Sequence, residues 1–242
     1  MSFTVLPAID LREGCVVRLY QGDYARQTDY DVTPLALARR YAEAGARWLH
    51  VVDLDGARSG NTSNLGVITA LTDTGLYLQA GGGVRGEDDL ARLFDAGVKR
   101  VVIGSLSVRA PDLVCRWLHD YGPERLTIAL DTRWRDGGWR LPSAGWERDE
   151  EATLDDLAPR YAEAGARHLL CTDIDRDGTL SGSNFDLLAH IKTIAPALDV
   201  QVSGGVRALD DIRTAREAGG AGIVLGRALL EGRFTLEEAL AC

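Results

Sequence analysis

The octapeptide Arg40-Tyr41-Ala42-Glu43-Ala44-Gly45-Ala46-Arg47 recurs letter for letter 120 residues later, as Arg160-Tyr161-Ala162-Glu163-Ala164-Gly165-Ala166-Arg167. Asp53 and Asp173, Asp55 and Asp175, Ser63 and Ser183, and Asn64 and Asn184 keep the same offset. Further on, Gly82-Gly83-Val84-Arg85 returns as Gly204-Gly205-Val206-Arg207, and Gly104 as Gly226, both at an offset of 122. A chain of 242 residues is therefore two homologous halves, about 1–122 and 123–242. The period is too long for a solenoid, whose repeats run about 20–50 residues.

Each half holds four strand–helix units. Apolar runs such as Trp48–Asp53, Arg100–Gly104 and Gly222–Leu225 alternate with amphipathic stretches. Thr33-Pro34 reads as an N-cap and first helical position. Continuous apolar strands separated by helices imply a parallel sheet covered on its outer face. Eight such units in one domain predict an α/β fold, the (β/α)8 TIM barrel built from two (β/α)4 halves, with its site at the C-terminal strand ends. Pro159 falls within the fifth helical pattern and predicts a kink or a late start there.

Several functions are disfavoured by composition. A net charge of −9 disfavours a nucleic-acid binder. No apolar run reaches the length of a membrane span, and Met1-Ser2-Phe3 opens no basic signal region. Cys15, Cys115, Cys171 and Cys242 are widely spaced and read as buried small residues. With only Lys99 and Lys192 off the strand ends, a Schiff-base nucleophile is missing. His50, His119, His168 and His190 lack ligand spacing, so no metal is expected. The expectation is a cytoplasmic monomer that binds a small molecule, without nucleic acid or membrane.

Two groups stand at the strand ends. The first is glycine-rich: Gly82-Gly83 with Gly104-Ser105, and Ser203-Gly204-Gly205 with Gly226-Arg227. Glycines before a helix N-terminus let backbone N–H groups face an anion, although a lone cluster also fits a tight turn. Two matched pairs on opposite sides of a ring predict a ligand with two phosphates. Arg85 and Arg207 lie near helix starts, against the dipole, which favours a ligand-facing role. Asp88-Asp89 and Asp210-Asp211 need only the dipole to explain them. The second group is Asp10 and Asp131, which end opposed strands one and five. Carboxylates there can act as base and acid on the middle of the ligand, or can instead cap loops or pair with an arginine such as Arg12 or Arg133. The segments 11–32 and 132–152 are long and read as lids containing hairpins; Trp146 in the second is a candidate to stack on a ligand ring.

The segments Pro7-Ala8-Ile9-Asp10-Leu11, Gly14 to Leu19, both Gly-Gly-Val-Arg runs, Ala129-Leu130-Asp131, Cys171 to Thr179 and Gly222 to Gly232 resemble the phosphoribosylformimino-5-aminoimidazole carboxamide ribotide isomerases of histidine biosynthesis, from about residue 4 to residue 236. The resemblance implies a duplicated half-barrel, no metal or organic cofactor, and an Amadori rearrangement of an aminoaldose carrying a phosphate at each end. It places Asp10 on the family's proton acceptor and Asp131 on its donor, with Thr172 beside the donor. Arg18, Arg85 and Trp146 fall on substrate-holding positions, and Asp173 joins the same strand-six motif. The related cyclase typically carries Cys-Leu-Asp in strand one and a lysine on the next strand; here Ala8-Ile9-Asp10 and Arg18 stand there. The tryptophan-pathway isomerase has a cysteine where this chain has Asp10. An isomerase serving both pathways is the remaining alternative within the fold, and a scaffold without activity would be expected to lose the Asp pair.

Overall fold

Strand one, Thr4–Arg12, is buried along almost its whole length and pairs in parallel with strand two, Trp48–Asp53, on one side. On its other side it pairs with strand eight, Gly222–Leu225, through Thr4 opposite Gly222 and Leu6 opposite Val224, and so closes the ring. Between them run Tyr77–Gly81, Arg100–Ile103, Leu126–Ala129, His168–Thr172 and Asp199–Ser203, each parallel to its neighbours. The computed structural model describes residues 3–60, 63–143, 145–146 and 148–242. Met1 and Ser2, where the signal-region reading began, lie outside the described residues. The eight-stranded barrel expected from the repeat is the observed fold.

Helices cover the outside because their apolar stripes match the strands' outer residues. Pro34–Glu43 starts at Thr33, whose hydroxyl accepts from the Ala36 N–H at 3.3 Å, with proline at a first-turn position where its missing N–H costs nothing. Its repeat mate, Leu154–Glu163, starts in the same way at Thr153, with Asp156 accepting from the Thr153 N–H at 2.9 Å. The expected late start at Pro159 is corrected: the caps fix the beginning, and the helix runs on through the proline. Only the bond to the Asp155 carbonyl is lost, on an exposed residue that water can reach. Of the cysteines only Cys171 is buried; Cys15 is exposed and the other two are half-buried, because they sit on the loop and helix surfaces.

Two layers fill the barrel. Leu6, Ala8, Val102, Ala129, Leu170 and Val224 pack together inside it. Gln79 and Gln201, repeat mates 122 apart, exchange amide hydrogen bonds at 2.7 and 3.0 Å. Thr127 and Arg100 also donate to the Gln79 carbonyl oxygen, so this polar plug is satisfied internally. No helix among the described residues is long and apolar enough to cross a membrane.

Candidate active site

The C-terminal mouth of the barrel holds a cavity of about 710 Å3 that reaches Asp10, Asp131 and both sides of the ring. Two lids frame it. After strand one, Cys15–Tyr20 and Asp23–Asp29 form the expected hairpin, turning at Gln21-Gly22. After strand five, Arg133–Arg135 and Gly138–Ser143 turn at Asp136-Gly137 as expected, and Arg148–Thr153 adds a third strand. The first lid is tied down on the loop after strand six: the Gln21 N–H donates to the Asp177 carbonyl at 3.0 Å, and its side-chain amide donates to the Asp175 carbonyl. A Cβ on Gly178 would lie 2.7 Å from the Leu19 carbonyl oxygen, so only glycine admits that approach.

The glycine pairs occupy opposite sides. Gly82, Gly83, Gly104 and Ser105 line one flank of the cavity. Ser203, Gly204, Gly205, Gly226 and Arg227 line a smaller recess on the other. The glycines at 82–83 and 204–205 all have φ between 82 and 103°. Added Cβ atoms would strike the preceding loop: 2.1 Å from the Asp53 carbonyl oxygen at Gly82, and 2.3 Å from the Gly182 carbonyl oxygen at Gly205. The protein's own backbone, as much as a ligand, therefore requires glycine at these positions.

Asp10 is buried at 8% exposure, and the Arg18 guanidinium spans it and Asp177 with bonds of 2.7 and 2.8 Å. The arginine partner of Asp10 is thus Arg18; Arg12 instead donates to Gln27 at 2.5 Å. Burial raises the Asp10 carboxyl above its ordinary range, Arg18 pulls it down, and the Asp177 charge pushes it up again. Asp131, across the mouth, is half-buried as a residue, yet its Oδ1 is shut off from solvent without a hydrogen-bond partner. Its Oδ2 accepts from the Trp146 indole N–H at 3.0 Å. Burial raises this carboxyl too, against the pull of Thr172 and Trp146. His50, also on the cavity wall, is pushed by burial to about 4 and stays neutral above that pH.

Most of the residues expected from the sequence converge here: Arg18, Arg85, Trp146 and Thr172 line the cavity with the acids and glycines. Asp173 does not. It is buried and turned to its own loop, accepting from the Asn184 amide at 2.7 Å and the Asp175 N–H at 3.1 Å. Its repeat mate Asp53 does the same with Asn64 and Gly56, so both acids are loop braces. Arg207 is likewise away from the mouth, its side chain over Gly182 and its N–H bonded to Asp211. Arg85 packs over Gly60 in the equivalent way but does reach the cavity. Asp177 and Tyr24 line the mouth and were missed. A signal for Asp177 was available: its repeat position, 120 residues earlier, is Ala57, a break in an otherwise matched segment. Among the described residues no cluster of three or more His, Cys, Asp or Glu side chains suits a metal ion.

Across residues 4–235 the sequence matches the family of histidine biosynthesis proteins. It is 58% identical over 246 residues to a protein of Xanthomonas oryzae pv. oryzae named 1-(5-phosphoribosyl)-5-((5-phosphoribosylamino)methylideneamino) imidazole-4-carboxamide isomerase, with the whole of both chains covered. A relative of the same name from Xanthomonas euvesicatoria pv. vesicatoria is 57% identical over 244 residues, again over the whole of both chains. Another from Xylella fastidiosa is 56% identical over 242 residues, covering 99% of this chain and 90% of the relative.

Proposed function

Because this chain belongs to the histidine biosynthesis protein family, we propose that it is the aldose–ketose isomerase for which its relatives are named, converting the phosphoribosyl aminoaldose to the phosphoribulosyl aminoketose by an Amadori rearrangement. The observation that carries this reading is the placement of two buried, upward-shifted carboxyls, Asp10 and Asp131, on opposed strands between two glycine-lined recesses. A ligand with a phosphate in each recess has its reacting carbons between the two acids. The separated cradles fix the ends, so that binding energy orients the middle.

The chemistry then needs two proton carriers. Protonated Asp131 delivers its proton to the ribose ring oxygen; the C–O bond at the anomeric carbon breaks, and the nitrogen lone pair forms the open-chain iminium. Ionised Asp10 removes the proton at C2; those electrons form the C1–C2 double bond while the C1–N double bond returns its pair to nitrogen, giving the enaminol. Protonation at C1 and loss of the O2 proton give the aminoketose and restore both carboxyls, with no net proton gained or lost. An acid must stay protonated near neutral pH, which burial of Asp131 favours. A base must be ionised despite burial, which is the work of Arg18 on Asp10. Gly82, Gly83, Gly104 and Ser105 hold one phosphate; Ser203, Gly204, Gly205, Gly226 and Arg227 hold the other. Thr172 and Asp177 flank the reacting carbons, with Arg85 and Trp146 at the lids. One chain supplies both recesses and both acids as a single catalytic domain, which supports a monomer, and two carboxyls suffice for the proton transfers, so no cofactor is called for; a cytoplasmic location is part of this proposal.

The test is turnover of the aminoaldose by purified protein, followed by Asp10→Asn and Asp131→Asn. Each substitution is expected to lower kcat by about 10²–10⁴, the usual share of a positioned acid or base, with KM near wild type. More than about a tenth of wild-type kcat in either variant contradicts its role.

A further inference from the structure

Trp146 is held in an unusual way. Its backbone φ is +72°, in the left-handed region that bulky residues rarely enter. The Arg133 guanidinium keeps it there by donating to its carbonyl at 3.0 Å, while the Arg133 Nε is buried without a partner. The indole is wedged beneath the first lid: a Cβ on Gly22 would be 2.4 Å from its Cε3 and 2.8 Å from its Cζ3. The far end of the ring gives its N–H to Asp131. One side chain of the second lid thus touches both the first lid and the acid.

We propose that Trp146 is a positioning residue that couples the seating of a ligand to the loading of a proton on Asp131. In the conformation seen here its N–H favours the carboxylate, the form that cannot act as an acid. A planar ligand ring that stacks on the indole competes with the Gly22 turn for the same surface. Moving the ring also relaxes a left-handed backbone conformation that the Arg133 bond braces. When the indole moves with the ligand, Asp131 loses its Trp146 donor and keeps its burial. Of its remaining titratable neighbours, Asp177 on the loop after strand six adds negative charge and favours the protonated form, while Cys171 on strand six, raised by burial and by Asp131, is a neutral thiol. Thr172 stays beside it on strand six, and Arg18 is already engaged by Asp10 and Asp177. The acid is therefore loaded when there is substrate to protonate. This inference rests on the roles proposed above for Asp131 and for the Trp146 ring.

The experiment compares pH profiles of wild type and Trp146→Phe, which keeps an aromatic face and removes the donor. Activity falls as pH rises through the pKa of an acid, so Asp131 sets the alkaline limb. In kcat/KM, which reports the free enzyme, the phenylalanine variant should move this limb upward by about one pH unit, the worth of one hydrogen bond to a charged group. In kcat, which reports the complex, the limb should stay in place. Calorimetry with the aminoketose product, in two buffers of unlike ionisation enthalpy, should show proton uptake on binding by wild type and less by the variant. Limbs that move together in both profiles mean the indole keeps its bond in the complex and overturn the proposal, as does an unshifted kcat/KM limb. Failure of wild type to turn over the aminoaldose would instead overturn the isomerase reading.

Discussion

Arg18→Met tests whether the base works because an arginine keeps it charged. The guanidinium makes one bond of 2.7 Å to Asp10 and one of 2.8 Å to Asp177, and its side chain is only 14% exposed. Hydrogen bonds to charged groups are worth about 1.5–3 kcal/mol. At about 1.4 kcal/mol per pH unit, losing the Asp10 bond should raise the pKa of that carboxyl by about one to two units. A base works only when ionised, so the acid limb of the kcat profile should move to higher pH by that amount. At pH below the wild-type limb kcat then falls by about 10–100-fold, and it returns as pH rises past the shifted limb. Removing one side of a buried ion pair also costs about 3–5 kcal/mol of stability, more at high pH than at low, because protonating Asp10 relieves the stranded charge. Arg18→Lys covers the case of a variant too unstable to assay; its single ammonium group lacks the fork that spans two carboxylates, so an intermediate limb is expected. The assay is kcat from about pH 5 to pH 9.5 together with thermal unfolding at each pH. A fall in kcat that is uniform across pH, with the acid limb unmoved, would refute the reasoning and reduce Arg18 to a substrate contact.

Asp131→Asn should stabilise the fold while it inactivates the enzyme. Burial raises the folded-state pKa of Asp131, so its favourable contribution is complete below the unfolded value of about 3.9 and is lost as pH rises through the folded one. The amide does not ionise in either state and so escapes that loss; a gain at pH 7 on the order of 1 kcal/mol, or about 2–4 °C in Tm, is expected and should vanish near pH 3.5. Gly104→Ala and Gly226→Ala separate a phosphate contact from a catalytic one. A Cβ at Gly104 meets no protein atom within 4 Å, whereas at Gly226 it lies 2.9 Å from the Arg18 Cζ. Neither glycine has positive φ, so both alanines should fold; the first should raise KM about tenfold, and the second should lower kcat as well. An unchanged KM for Gly104→Ala would remove that flank from phosphate binding.

The barrel and its mouth were legible because their signals are local and doubled. Thr33-Pro34 caps a helix whatever surrounds it, Asp136-Gly137 turns a hairpin, and the 122-residue offset of Gly82 and Gly204 marks equivalent strand ends. What stayed hidden depends on where a loop folds. Leu54–Ser59 is a short helix; Asp53 at its N-terminus and Asn64 beyond it hold it in place. Asp173, Asp175 and Asp177 alternate along five residues, and nothing in that spacing says that the first braces its own loop while the third meets Arg18, 159 residues away. The Gln79–Gln201 plug also escaped notice, since a glutamine in an apolar strand shows its partner only when the ring closes.

A duplicated barrel poses a problem that these details answer. Two equal halves make a mouth with two equivalent ends, which suits a ligand with a phosphate at each but gives no direction to the chemistry between them. The shared parts are the supports: Asp53 with Asn64 and Asp173 with Asn184 brace matching loops, and Gly82 and Gly204 press against the carbonyls of those same aspartates. The proposed proton carriers are shared as well, since Asp10 and Asp131 end equivalent strands; what differs is what surrounds them. Asp177 stands where the first half has Ala57, and both line the cavity. Arg18 comes from a hairpin on the first half and reaches across to the second, while Trp146 comes from the second and rests on Gly22 of the first. Each lid therefore bonds the acid of its own half and also touches the opposite half. Gly226 in one recess lies against Arg18, which bridges Asp10 and Asp177, whereas a Cβ at its repeat mate Gly104 meets no protein atom within 4 Å, so under the proposed function a ligand whose two phosphates are alike meets two unlike ends.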